Sequence, residues 1–220
     1  MNRCTIIMAV LFLAGVLPLN GCATSSAPPR EPVEGRVLEQ GTNRPIPGAI
    51  VIARWRGHMP VFPADGQSVC YHVESATTDE EGRYRFPVFD EEPRHRRIRY
   101  KYIQVDAYQP GYEWSGASEG GKVQYLAPFI GGREERLKYL ARLSGVVGCY
   151  GADNEKPLVP VYKTLYEEAR SIATMDKDKE LLQFIRRRAL YAWSRPPREL
   201  TAREIEQAIK NDPYFREHFP

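Results

Sequence analysis

Between Val33 and about Gln124 the apolar residues recur mostly at every second position, and beyond Gly131 they recur at every third or fourth. The first spacing is that of strands and the second that of helices. VEGRV is followed by a turn-rich stretch at 40–48 and then by AIVIARW at 49–55. A Gly/Pro-rich segment, 57–67, reads as a loop before the alternating stretch 68–78. The turn DEEG at 79–82 leads into RYRFPVF, where Tyr84, Phe86 and Val88 point one way and Arg83 and Arg85 the other. A basic connection at 90–97 precedes a further strand, 98–108. Several short strands with turns between them predict a β-sandwich. In 49–55, Ala49, Val51, Ala53 and Trp55 share one face, yet Ile50 and Ile52 on the other are apolar too. A strand with one wet face would carry polar residues there, so a second layer is expected to cover the two isoleucines.

The helical spacing supplies that layer. Leu137, Leu140, Leu143 and Val147 form one stripe in 132–147, and Leu158, Val161, Leu165, Ala169 and Ile172 another in 158–174. A third stripe in 178–193 runs through Leu181, Ile185, Ala189 and Trp193 before Pro196-Pro197 stops it. Thr201, with Glu204 three residues on, has the spacing of a capping box and starts a last short helix. The expected class is α+β: an N-terminal antiparallel β-sandwich over 33–130, then three to four short helices over 131–220 packed on it.

The N-terminus changes the picture. Arg3 precedes an apolar run from Ile6 to Leu19, short for a membrane span and suited to a signal peptide. The run ends in LNGC at 19–22, which resembles the lipobox of bacterial lipoproteins. That resemblance implies removal of residues 1–21 and acylation (palmitate among the chains) of Cys22, which becomes the mature N-terminus. Ala23, rather than an aspartate, then favours the periplasmic face of the outer membrane. Residues 22–32 are small, polar and Pro-rich beyond the cysteine, and read as a tether.

Three segments of the β half, 34–55, 77–87 and 102–112, resemble the carboxypeptidase regulatory-like domain. They carry in order its Gly-x-Val, its Pro-x-Pro-Gly-Ala turn, its Thr-Asp-x-x-Gly-x-Tyr-x-Phe and its strand ending in Gly-Tyr. The resemblance implies a prealbumin-like sandwich and no catalytic residues, since in metallocarboxypeptidases this module carries none of the zinc ligands. The helical third lies outside the family pattern.

Composition excludes some partners. Lys and Arg number 31 against 28 Asp and Glu, a net charge of +3, and no strong field for nucleic acid follows. The densest positive run contains Arg94, Arg96, Arg97, Arg99 and Lys101 around His95, a candidate anion-binding segment or a solvated edge. Trp55, Tyr108, Tyr112 and Trp114 are candidates for stacking on a sugar, the basis of an alternative reading as a carbohydrate-binding lipoprotein. Cys70, His72 and Glu74 alternate, so a strand puts them on one face, where Cys149 could complete a zinc site. The expected arrangement is instead a Cys70–Cys149 disulfide: export favours it, and these are the two thiols left once Cys4 is removed and Cys22 acylated. Two separate buried thiols are a third reading.

The other motifs point away from catalysis. His58, His72, His95 and His218 lack the partners of a zinc peptidase. Ser115 and Ser118 lie outside any nucleophile elbow, and Asp79, Glu80 and Glu81 lack the spacing of a calcium loop. The expected function is a non-catalytic, lipid-anchored envelope protein. No cofactor or metal is expected. Its partners would be the membrane, through the lipid, and an envelope protein or polysaccharide.

Overall fold

The computed structural model describes residues 31–61, 64–89, 98–116, 118–119, 122–196 and 198–220. Seven strands come first: β1 (Val33–Glu39), β2 (Ile50–Val61), β3 (Ala64–Thr77), β4 (Arg83–Phe86), β5 (Arg99–Tyr108), β6 (Ser118–Glu119) and β7 (Val123–Leu126). Five helices follow: α1 (Arg133–Val146), α2 (Val159–Ile172), α3 (Asp178–Ser194), α4 (Ala202–Asn211) and α5 (Pro213–His218). The class is α+β with the helices C-terminal.

The strands form a three-stranded sheet, ordered β4-β1-β7, and a four-stranded sheet, β3-β2-β5-β6. The pairing is not wholly antiparallel, because β7 lies parallel to β1. A parallel neighbour needs a crossover, and here all of β2 to β6 intervenes between the two strands. The segment expected to be a loop, 57–67, instead extends β2 and β3 into one long hairpin, with His58 opposite Ser68 and Met59 opposite Gln67. Gly57 permits this: a Cβ there would lie 2.4 Å from Ile98 Cγ2 and 3.0 Å from the Arg99 carbonyl on the neighbouring strand. At the β3–β4 turn, Asp79 Oδ1 accepts hydrogen bonds from the amides of Glu81 and Arg83, and Gly82 takes φ +70°. Only glycine adopts that region at no steric cost.

Alternation along β2 builds two cores. Ala49, Val51, Ala53 and Trp55 join Val37, Tyr84, Phe86, Ile103, Val105 and Leu126 in a core shared by the two sheets. Ile50 and Ile52, on the opposite face, join Val73 and Tyr108 in a core shared with the helices. That second core includes Leu137, Leu140, Leu158, Leu165, Ile185 and Phe215. The sequence accounts for four helices. The fifth, α5, starts where Asp212 Oδ1 accepts from the amides of Tyr214 and Phe215 with Pro213 at the first position. Asp-Pro is a helix-start signal, and the element is short enough to be overlooked. It seats Phe215 and Phe219, both fully buried, under the bundle. Val88, expected to face inward with Tyr84 and Phe86, lies beyond the end of β4 and is exposed.

Candidate functional site

Two buried charged residues of the β half, Arg54 and Asp106, lie where the four-stranded sheet meets the helices. Arg54, on the helix-facing side of β2, is ion-paired with Asp106 on β5. Both are almost wholly buried. The same guanidinium donates to the carbonyls of Val146 and Val147, at 3.1 and 3.3 Å, and so closes the C-terminus of α1. Cations there complement the unpaired carbonyls and the helix dipole. Burial holds the Asp106 carboxyl above the usual carboxylate range, opposed by the adjacent Arg54 charge and by a hydrogen bond from the Trp114 side chain.

A second cluster sits at the end of β5. Glu168 of α2 accepts from the Tyr108 hydroxyl, from the Gly111 amide at 3.1 Å and from Arg136 Nε at 2.7 Å. Arg136 also donates to the Tyr112 carbonyl at 2.8 Å, and its guanidinium lies over the Phe129 ring at 4.7 Å. Burial, and then the Glu168 charge, push the Tyr108 hydroxyl well above its ordinary pKa. Tyr139 of α1 takes a hydrogen bond from the Trp114 amide at 2.6 Å. In each cluster an acid pairs with an arginine of its own layer, and hydrogen bonds cross to the other layer, from Arg54 to the carbonyls that end α1 and from the Tyr108 hydroxyl to Glu168. That arrangement holds layers together, because breaking one partner would strand the other in a low-dielectric interior.

Cys70 of β3 and Cys149, just after α1, are joined by a disulfide with a Cα–Cα distance of 5.2 Å. Neither sulfur is then a thiolate ligand. His72 is on the other face of β3 from Cys70. A bulge at Tyr71 interrupts the pairing with β2, so Trp55 opposes His72 while Arg56 opposes Cys70. His72 therefore packs on the sheet-to-sheet side, stacked on Phe89 with ring centroids 3.6 Å apart and edge-on to Trp55 at 4.9 Å. Its Nε2 is 3.0 Å from Glu74. Strict alternation placed Cys70, His72 and Glu74 together, and the bulge corrects it. Among the described residues no cluster of His, Cys, Asp and Glu has the makings of a metal site.

The four aromatic candidates do not share a surface. Trp55 is 1% exposed between the sheets, and Tyr108 is fully buried on the helix side of the same sheet. Trp114 packs half-buried against the helical core. The Tyr112 hydroxyl donates to Glu39 at 3.1 Å. The burial of Trp55 and Tyr108 follows from β2 and β5 being covered on both faces. Of the basic run, Arg99 is exposed and Lys101 half-buried, while Arg94, Arg96 and Arg97 lie outside the described residues, as does Cys22.

Sequence reasoning overlooked Arg54, Asp106, Arg136 and Glu168. The one available signal was a charged residue interrupting an apolar strand, as Arg54 does between Ala53 and Trp55.

No family model matches this chain, and no curated protein matches it. Two solved structures are similar in part. An alternative pilotin from the type II secretion system of Vibrio cholerae is 10% identical, with a TM-score of 0.27 over 46% of this chain and 98% of that one. A 9R-lipoxygenase from Cyanothece PCC8801 is 13% identical, with a TM-score of 0.27 over 64% of this chain and 24% of that one. Both likenesses are too low to carry an argument about fold or function. Among the described residues no helix is long and apolar enough to cross a membrane.

Proposed function

We propose that this chain is a non-catalytic, lipid-anchored protein of the bacterial cell envelope, exported to the periplasmic face of the outer membrane. Its prealbumin-like sandwich and helical layer act together as one binding or structural module. The observation that carries the module reading is the use made of the buried charges. Arg54, paired with Asp106 in the sheet, donates across to the carbonyls that end α1, and Glu168, paired with Arg136 on the helices, accepts from the Tyr108 hydroxyl of β5, so both clusters brace sheet against helices. The core shared by the two sheets supports the sandwich, and the family-like segments fall on β1 and β2, on the β3–β4 turn and on β5. The anchor rests on LNGC at 19–22. Two or more acyl chains on Cys22 would make attachment stable where one is marginal.

Metabolic labelling with an alkyne-tagged palmitate tests the anchor. Label should enter the wild-type protein and be lost in Cys22→Ser, which should also keep its 21-residue signal and run larger. Unlabelled wild-type protein, or a Cys22→Ser variant that matures normally, would overturn the anchor. Capture of envelope components by the tagged wild-type protein, with Cys22→Ser as control, would then identify what the module holds.

A further inference from the structure

β1, β4 and β7 put one face into the sheet-to-sheet core and turn the other to solvent. The outer face carries Arg36 on β1 and Arg83 and Arg85 on β4, with Lys122 leading into β7. All four are exposed and line one groove of about 790 Å³. Arg36 and Arg83 are direct cross-strand partners. Like charges placed opposite each other in a ladder are destabilising. Nothing nearby relieves them: Arg36, Arg83 and Lys122 form no ion pair with a described residue. The acids lining the groove are Glu34 and Asp79. Glu34 is 3.9 Å from Arg85 with both side chains exposed, and Asp79 is engaged by the amides of its own turn. Beside the cations the same face exposes Val123, opposite Arg36, and Tyr125, opposite Leu38. Cations flanked by an aromatic and an aliphatic side chain match the headgroup zone of a membrane, where phosphates, glycerol and the first methylenes meet.

We infer that the outer face of the β4-β1-β7 sheet docks on anionic phospholipid headgroups, with Arg36, Arg83, Arg85 and Lys122 holding their phosphates. This deepens the lipid-anchor reading and rests on it for its geometry. Val33 opens β1 only 11 residues after Cys22. A chain of that length spans about 20 Å as a coil and no more than about 40 Å fully extended. The anchor therefore keeps this sheet, the first element after it, close to the headgroups. Planar guanidinium groups suit phosphate oxygens, and a bridging phosphate removes the repulsion between Arg36 and Arg83. Each cation within a Debye length of an anionic surface raises partitioning about five-fold.

The test uses the chain from residue 22 onward with Cys22→Ser, oxidised, so that no acyl group contributes. Among the described residues every buried residue of both cores lies between Val37 and Phe219, and this chain retains them all. Co-sedimentation is measured with vesicles of phosphatidylcholine alone and with phosphatidylglycerol added. Binding is expected only with phosphatidylglycerol, weakening as salt rises. Arg36→Glu with Arg83→Glu should lower it about 25-fold or more. Lys138→Glu with Lys179→Glu makes the same change of net charge on exposed helix positions and should leave binding within about two-fold of the parent. Circular dichroism confirms that both variants are folded. Three outcomes overturn the assignment: no preference for phosphatidylglycerol, unchanged binding by the β-sheet variant, or equal loss in the helix variant. Retention on a phosphorylated polysaccharide but not on the vesicles would also overturn it, giving the face to a polymer. Palmitate labelling reads the anchor separately, so failure of one is distinguishable from failure of the other.

Discussion

Arg133 shows how one side chain sets the packing of three helices. It opens α1, and its Nη1 donates to the Ile172 carbonyl at the end of α2, at 3.1 Å, and to Asp178 Oδ2 at the start of α3, at 2.8 Å. The same Asp178 oxygen accepts from the amides of Thr174 and Met175, at 2.9 and 3.0 Å. The Thr174 amide first, then the Arg133 guanidinium and the Met175 amide, lower the Asp178 carboxyl from 3.8 to about 2. A carboxyl depressed in the folded state stabilises the fold above its unfolded value and loses that contribution as pH falls through the folded one. Asp178→Asn should therefore lower the urea midpoint at neutral pH. The gap from wild type should shrink as pH falls from 3.8 toward about 2. Midpoints measured across that range check this, and a gap independent of pH would assign the effect to packing instead.

Among the connections between elements, the Cys70–Cys149 bond ties the edge strand β3 to the segment following α1. It is reinforced where Ser75 of β3 donates to the Pro157 carbonyl, in the turn that leads into α2. The bond spans 79 residues of sequence, for which the chain-entropy model gives about 4.5 kcal/mol. Replacing both cysteines by alanine should lower unfolding free energy by up to about 4.5 kcal/mol without changing the fold. Non-reducing peptide maps of exported protein should show the linked pair. Free, alkylatable thiols at both positions in the wild type would remove this staple from the account.

For the molecule as a whole, one sheet separates two cores and serves both. β2 gives Val51, Ala53 and Trp55 to one and Ile50 and Ile52 to the other, so the helical layer cannot leave without exposing the back of that strand. The Arg54–Asp106 and Arg136–Glu168 pairs would lose their buried surroundings in the same event. Unfolding should accordingly be a single transition, with far-UV ellipticity and tryptophan fluorescence coincident. Ile52 is fully buried, and Ile52→Ala should lower the stability of the entire transition by about 2–5 kcal/mol. Two separated transitions, with Ile52→Ala moving one alone, would show that the helices form an independent unit.

Local pattern was enough to find five of the strands, though not the full length of β2 and β3, most of the helices and the need for a cover over Ile50 and Ile52. Alternation and the 3.6-residue period follow from backbone geometry, which acts over a few residues. The capping box at Thr201 was legible for the same reason, and in the structure Thr201 and Glu204 exchange hydrogen bonds. The pairing of Cys70 with Cys149 could be narrowed by counting thiols, because the proposed signal removal and acylation would leave two to choose from. Tertiary structure alone decided what depends on register and on distant neighbours. The bulge at Tyr71 turned His72 away from Cys70, and the cover on both faces of β2 and β5 buried Trp55 and Tyr108. A parallel β7 beside β1 brought Lys122, Val123 and Tyr125 alongside Arg36, some 86 residues away in sequence from the nearest of them. Sequence holds each of those side chains, but only the pairing of β4, β1 and β7 makes them one surface, since charge acts through space and not along the chain.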